Sequence, residues 1–135
     1  MKLRHSTSLL AALVVGLAIQ NAAHAAPTPA AAREIAHLLT YLEKSGCQFY
    51  RSGTWHDAPA ARAHLDMKFK YMTQRDMVQT TEDFIVNAAT SSSMTGGTYM
   101  VRCAGAEAQP SADWLRAELV RYRKANPSES MAPAR

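Results

Sequence analysis

The chain has two cysteines, Cys47 and Cys103, and they constrain its fold more than any other feature. Cys47 begins a short run of residues that favour β-structure, and Cys103 ends a second such run. When two strands pair in antiparallel fashion, the start of one faces the end of the other. The positions of the cysteines therefore predict two paired strands with Cys47 opposite Cys103.

The first 25 residues have the three zones of a cleavable secretory signal. A basic start precedes the apolar residues 9–19, and residues 23–25 supply the small side chains that signal peptidase accepts. This apolar run is shorter than the roughly 20 residues that span a bilayer, so it predicts cleavage after Ala25 and not a membrane anchor. We expect an exported periplasmic protein with no stable membrane insertion after cleavage.

The register that pairs the two cysteines also predicts other cross-strand neighbours. It sets Phe49 opposite Val101, an apolar contact that favours this register, and Arg51 opposite Tyr99. In exported proteins two cysteines usually form a disulfide, whereas redox-active pairs are typically close in sequence, as CxxC. The sequence therefore predicts a structural disulfide, which contributes at most about 4 kcal/mol to stability.

Removal of the signal changes the charge balance. The whole chain has 15 Lys and Arg against 11 Asp and Glu, a net charge of +4. Two of the basic residues, Lys2 and Arg4, belong to the signal, so a net charge of +2 remains. This small excess is spread along the chain, and a nucleic-acid partner would need basic residues clustered on one face.

Helical periodicity and cap residues predict a single α+β domain. The predicted helices cover about residues 31–45, 58–74, 82–90 and 112–124, with Asp57, Thr80 or Thr81, and Ser111 as N-caps. Because a two-stranded ribbon is unstable alone, we expect about four helices packed on one two-stranded antiparallel ribbon, stapled by the disulfide. The predicted boundaries are a signal peptide at 1–25, a flexible leader at 26–32, the domain at 33–124 and a disordered tail at 125–135.

The second helix carries the most suggestive polar residues. His64 and Lys68 are four residues apart, so both point to one side of the helix, beside its apolar stripe. Arg51 lies upstream and Glu82 downstream, and such a set could bind an anion or hold a general base. The alternative is structural, with His64 and Lys68 paired to Glu82 or Asp83 to fix the helix packing.

A serine-rich connection at 91–97 offers hydroxyl groups near that set. Ser91, Ser92 and Ser93 suggest acyl transfer with His64, but the chain lacks the GxSxG elbow that exposes a nucleophilic serine. Serines between a helix and a strand more often satisfy backbone groups. The pattern favours a connection over a nucleophile.

No metal site and no cofactor are predicted. Met67, Met72 and Met77 are five residues apart, so each is rotated by about 140° from the last on a helix. They therefore do not share a face that could bind copper, and Met72 is expected to fill the core. The scattered histidines argue against zinc.

Four motifs within residues 38–102 resemble those of the YfeK-like family of small exported bacterial proteins of unknown function. The motifs are Phe49-x-Arg51-x-Gly53, Ala61-x-x-His64-Leu65-x-x-Lys68, Thr80-x-Glu82-x-Phe84-Ile85 and Ala89-x-Ser91-Ser92-Ser93-x-Thr95-Gly96-x-x-Tyr99-x-Val101. Two positions depart from the family pattern, which tends to Asn where this chain has Ser52 and to Lys-Pro where it has Gly97-Thr98. The resemblance implies binding positions at Arg51, His64, Lys68, Glu82 and Ser91–Ser93, and it implies no reaction.

Three functions fit these observations. The first is a non-enzymatic periplasmic binding or accessory protein, whose polar groove takes a small anionic ligand or a periplasmic protein partner. The second is a small hydrolase that uses His64 with a hydroxyl of Ser91–Ser93. The third is a structural envelope protein without a ligand. A nucleic-acid partner is not expected for any of them.

Overall fold

The computed structural model of the protein describes residues 25–130, so the predicted signal peptide lies outside it except for its last residue. These residues form five helices and a four-stranded antiparallel sheet. The helices are α1 (Pro29–Lys44), α2 (Ala58–Thr73), α3 (Thr81–Ala88), α4 (Ser111–Ala125) and α5 (Pro127–Ser130). The strands are β1 (Gln48–Arg51), β2 (Thr54–His56), β3 (Met100–Arg102) and β4 (Gln109–Pro110). Within the described range, no helix combines the length and apolar character needed to cross a bilayer.

The sheet has four strands because each of the two predicted strands gains a neighbour. Its order is β2-β1-β3-β4, and every pairing is antiparallel. β2 returns from β1 through the turn Ser52-Gly53, and β4 consists of the two residues before α4. β2 and β4 add only three and two residues, and neither lies within a longer run of alternating residues by which a strand is recognised. The α+β class is confirmed, whereas the two-stranded ribbon is wrong.

The predicted register between the two central strands is confirmed. Phe49 pairs with Val101, and the predicted disulfide joins the two cysteines at the end of this ladder. Continued past its last pair, the same register sets Arg51 opposite Tyr99. Because side chains alternate across a strand, Arg51 and Tyr99 share the face of the buried Phe49 and Val101, which the helices cover.

The helices cover that face of the sheet with one apolar core. α1, α3 and α4 each contribute side chains that are almost inaccessible to solvent, and Phe69 of α2 packs edge to face against Phe84 of α3. The largest fully buried apolar residues are Ile35, Leu38, Leu42, Val78, Phe84, Ile85, Val101 and Leu115. Burial of these residues sets the position of α2 and α3 on the sheet, and hence the directions of their polar side chains.

Helix starts follow the predicted caps with one exception. Asp57 accepts a hydrogen bond from a backbone amide in the first turn of α2 at 2.9 Å. Thr80 and Asp83 form a reciprocal capping box at α3. Ser111, in contrast, is the first residue of α4 and not its N-cap, and its hydroxyl has no hydrogen-bond partner among the described residues.

The first helix begins earlier than the periodicity predicts. α1 starts at Pro29, inside the predicted leader 26–32, because Thr28 caps it with a side-chain oxygen 3.1 Å from the amide nitrogen of Ala31. Proline suits the first turn of a helix, where its missing N–H has no partner to lose. Residues 29–32 of the predicted leader therefore belong to α1.

The C-terminal end also differs from prediction, and it accounts for the fifth helix. α5 forms within the predicted tail 125–135, and the Tyr122 hydroxyl donates a hydrogen bond to Glu129 at 2.7 Å. This contact fastens the short helix to the last turn of α4. Residues 131–135 of the predicted tail lie outside the described range.

Candidate functional site

A groove of about 430 Å³ lies between α2, the end of β1 and the segment 91–99 that precedes β3. Two cations, Arg51 and Lys68, line it together with His64 and Tyr99. Tyr71, two methionines and three serines complete the lining, and no acidic residue of the described chain belongs to it. The groove therefore brings together Arg51, His64 and Lys68 from the predicted set.

Tyr99 contacts both His64 and Lys68 in the groove, and it is not among the site residues predicted from the sequence. Its hydroxyl oxygen lies 3.1 Å from Nε2 of His64 and 3.3 Å from Nζ of Lys68, which donates to it. Lys68 also donates to the carbonyl oxygen of Ser91 at 2.6 Å. The signal that could have found Tyr99 is the strand register, which sets it opposite Arg51.

The positive charges of the groove have no carboxylate partner. In the part of the chain that the structure describes, neither Lys68 nor His64 forms an ion pair, and the guanidinium of Arg51 forms neither an ion pair nor a hydrogen bond. Partly buried cations are ordinarily paired, because desolvation of an unpaired charge is unfavourable. The groove is thus a region of uncompensated positive charge.

Glu82, one of the predicted binding residues, lies outside the groove. Its carboxylate accepts a hydrogen bond from Arg123 of α4 at 2.7 Å. The neighbouring Asp83 accepts hydrogen bonds from the backbone amides of Thr80 and Gln79, and these bonds lower its pKa. Because other partners engage both carboxylates, the structural alternative that pairs them with His64 or Lys68 is wrong.

Burial changes the titration of the groove's polar groups. Burial, together with the nearby charges of Arg51 and Lys68, lowers the pKa of His64 to about 4, so its imidazole is neutral at pH 7. Burial also lowers the pKa of Lys68 and raises the pKa of the Tyr99 hydroxyl. At neutral pH a neutral imidazole and a neutral phenol therefore lie between two cations.

The predicted serines build the wall of the groove. Ser92 lines it, and its hydroxyl accepts hydrogen bonds from two backbone amides of its own turn, both at 3.3 Å. Ser91 contributes its carbonyl oxygen to the lysine, and Ser93 lines the groove as an exposed residue. His64 hydrogen-bonds with Tyr99 and not with a serine. This arrangement gives no support to a nucleophilic serine.

A smaller cavity of about 30 Å³ lies behind the groove and shares Arg51, His64 and Tyr99 with it. Its other walls are mostly apolar, with the core residues Leu42, Phe49, Leu65 and Leu115, and they also include His56 and Tyr50. Ser111 of α4 also lines this cavity; it is 5% exposed and its Oγ has no protein partner among the described residues. The groove with its two cations therefore adjoins a cavity whose other walls are mostly apolar.

Comparison with known proteins adds a family and no activity. No curated protein and no solved structure matches the chain. The matching family profile covers residues 29–123, which include every residue of the groove and of the cavity behind it. The chain belongs to DUF5329, a family of unknown function.

Proposed function

We propose that this protein is a non-enzymatic binding protein whose groove takes a small anion between Arg51 and Lys68. The observation that carries the proposal is the presence of two cations in one groove that no acidic residue of the described chain lines. Proteins usually neutralise partly buried cations with carboxylates. A bound anion would supply that missing charge.

The hydrogen-bond donors of the groove are also suited to an anion. The guanidinium of Arg51 offers donors in a planar fork that matches a carboxylate or phosphate. Lys68 donates to the oxygen of Tyr99, which leaves the hydroxyl proton of Tyr99 for His64 or for a ligand. Because burial raises the pKa of Tyr99, that hydroxyl keeps its proton at neutral pH. Charge and hydrogen-bond donors thus converge on one place.

We infer that the protein acts in the periplasm after export. The proposal rests on the three zones of the predicted signal, and the disulfide supports it because disulfides persist in oxidising compartments. The resemblance to the YfeK-like family, whose members are small and exported, agrees with this location. We propose that the chain is related to the YfeK-like family, in addition to its established membership of DUF5329.

An NMR titration of the exported protein tests the proposed anion site. Acetate, phosphate and sulfate, as sodium salts, each replace chloride at constant ionic strength. The chemical shifts of the backbone amides are followed during each titration. We expect the amides of Arg51, His64, Lys68 and Tyr99 to shift with saturation. The substitutions Arg51→Met and Lys68→Met should each weaken binding at least about tenfold, as loss of a charge-assisted contact does.

Lys70→Met is the matched control, because Lys70 is exposed on the same helix and does not line the groove. It should leave the affinity unchanged, and far-ultraviolet circular dichroism should show that each variant is folded. The proposal is wrong if no anion shifts the groove amides, or if Lys70→Met weakens binding as much as Lys68→Met.

A further inference from the structure

We infer that the anion is a short aliphatic carboxylate that bears one hydroxyl or keto oxygen, and that its chain enters the cavity behind the groove. The inference rests on the proposed function, because the groove would hold the charged end of this ligand. It adds the chemistry of the uncharged end of the ligand, which we infer from the size and walls of the cavity.

The size and walls of the cavity define the part of the ligand that it accepts. A water-sized sphere needs roughly 10–15 Å³, so a cavity of about 30 Å³ holds about two non-hydrogen atoms. Leu42 and Leu115 in its walls are each 1% exposed, and Leu65 is 6% exposed. Such walls favour a hydrocarbon group and exclude a hydrated ion such as free phosphate.

The junction of groove and cavity sets the distance between the two ends of the ligand. Arg51, His64 and Tyr99 line both spaces. A carboxylate held by Arg51 therefore has its carbon chain at the entrance of the cavity. The planar fork of arginine matches a carboxylate through two parallel hydrogen bonds. Charged and apolar ends must be adjacent, and with room for about two atoms in the cavity this limits the chain to about three or four carbons.

Ser111 gives a second, independent indication of an occupant. It is 5% exposed and lines the cavity, and within the described chain no group hydrogen-bonds to its Oγ. Its backbone amide is engaged, because it donates to the carbonyl oxygen of Tyr99 at 2.9 Å. A buried hydroxyl without a partner is destabilising, and alanine would avoid that cost. A hydroxyl or keto oxygen on the ligand would pair with Ser111.

A series of free acids tests this inference on the wild-type protein. Acetate, propionate, butyrate, 3-hydroxybutyrate and hexanoate are titrated calorimetrically at constant ionic strength. We expect affinity to rise up to about fourfold for each methylene buried, up to butyrate, and to rise no further for hexanoate. We expect 3-hydroxybutyrate to bind at least about threefold more tightly than butyrate, as a ligand hydroxyl that gains a buried partner should.

Two variants separate the charged end from the chain. Ser111→Ala should abolish the preference for 3-hydroxybutyrate over butyrate. Ala61→Leu, which fills the cavity from α2, should abolish the effect of chain length. If acetate binds but chain length and the hydroxyl have no effect in the wild type, this inference is wrong and the anion site stands. If none of the acids nor any other anion binds, the proposed function is wrong as well.

Discussion

The hydroxyl of Tyr99 lies 3.1 Å from Nε2 of His64, at the junction between the groove and the cavity behind it. This contact joins the end of the sheet to α2 and buries the imidazole beside two cations. The sequence draws attention to His64 because histidine titrates near neutral pH. In the folded protein its neighbours hold it neutral there, so it serves as a hydrogen-bond partner.

Acidification should destabilise the protein through His64 before the carboxylates respond. The pKa of His64 is about 4 in the folded protein, against an ordinary value of 6.5 in the unfolded chain. Between these values the unfolded chain binds more protons, so stability falls as the pH is lowered from 6.5 to 4. We expect a loss of about 1–2 kcal/mol, allowing for solvent screening, in urea unfolding measured across that range.

The variant His64→Gln keeps a hydrogen-bonding side chain and removes the titration. It should therefore flatten the dependence of stability on pH above 4.5. The lowered pKa values of Glu34 and Asp83 do not interfere, because their contributions are lost only below their ordinary values of 4.5 and 3.8. An equal slope in the variant and the wild type would show that another group is responsible.

Ser111→Ala should stabilise the protein, although it alters a buried residue. The substitution removes a hydroxyl that has no partner among the described residues, so the free energy of unfolding should rise by up to about 1 kcal/mol. Ser45→Ala is the control, since the hydroxyl of Ser45 donates to Leu42 at 2.7 Å and accepts from Cys47 at 3.1 Å. The control should lose about 1 kcal/mol in the same urea titration. Equal destabilisation by both substitutions would contradict the assignment of Ser111 to the cavity.

Arg123→Met should destabilise the protein by about 3 kcal/mol, because it leaves a buried carboxylate unpaired. The guanidinium of Arg123 donates to both oxygens of Glu34, at 2.8 and 2.9 Å, and Glu34 is only 5% exposed. Thr81 donates a further hydrogen bond to the same carboxylate. Chemical denaturation monitored by tryptophan fluorescence measures the loss.

Arg116→Met is the matched control on the same helix, since Arg116 pairs with the exposed Asp113. Its cost should stay below about 0.5 kcal/mol, as for most surface ion pairs. Adding Glu34→Gln to Arg123→Met should recover part of the loss, because the unpaired charge is then absent. No recovery would mean that the arginine stabilises the fold through packing alone.

The central strand register shows what could be predicted from the residues. Phe49 and Val101 are apolar residues of two β-favouring runs, and one register aligns them and the two cysteines at once. Alternation along a strand and cap residues at a helix start are local properties, so they can be recognised in a single sequence. The starts of α2 and α3 after their N-caps Asp57 and Thr80 could be predicted for the same reason.

The candidate site could be predicted only in part. His64 and Lys68 meet in the groove because four residues make about one helical turn, which is again a local property. Tyr99 joins them because β3, which it precedes, pairs with β1, a strand distant in sequence. Glu82 lies outside the groove because its carboxylate pairs with Arg123. Strands β2 and β4 gave no pattern that a sequence could show, and neither did the hydroxyl of Ser111, which has no partner among the described residues.

The sequence by itself determined the α+β class, the register of the central strands and the disulfide between Cys47 and Cys103. Only the tertiary structure decided which polar groups meet, and that the groove adjoins a cavity with mostly apolar walls. The physical reason is that sequence spacing orients a side chain about the axis of its own element. The rotation of that element on the sheet is set by burial of its apolar face, as where Phe69 of α2 packs on Phe84 of α3.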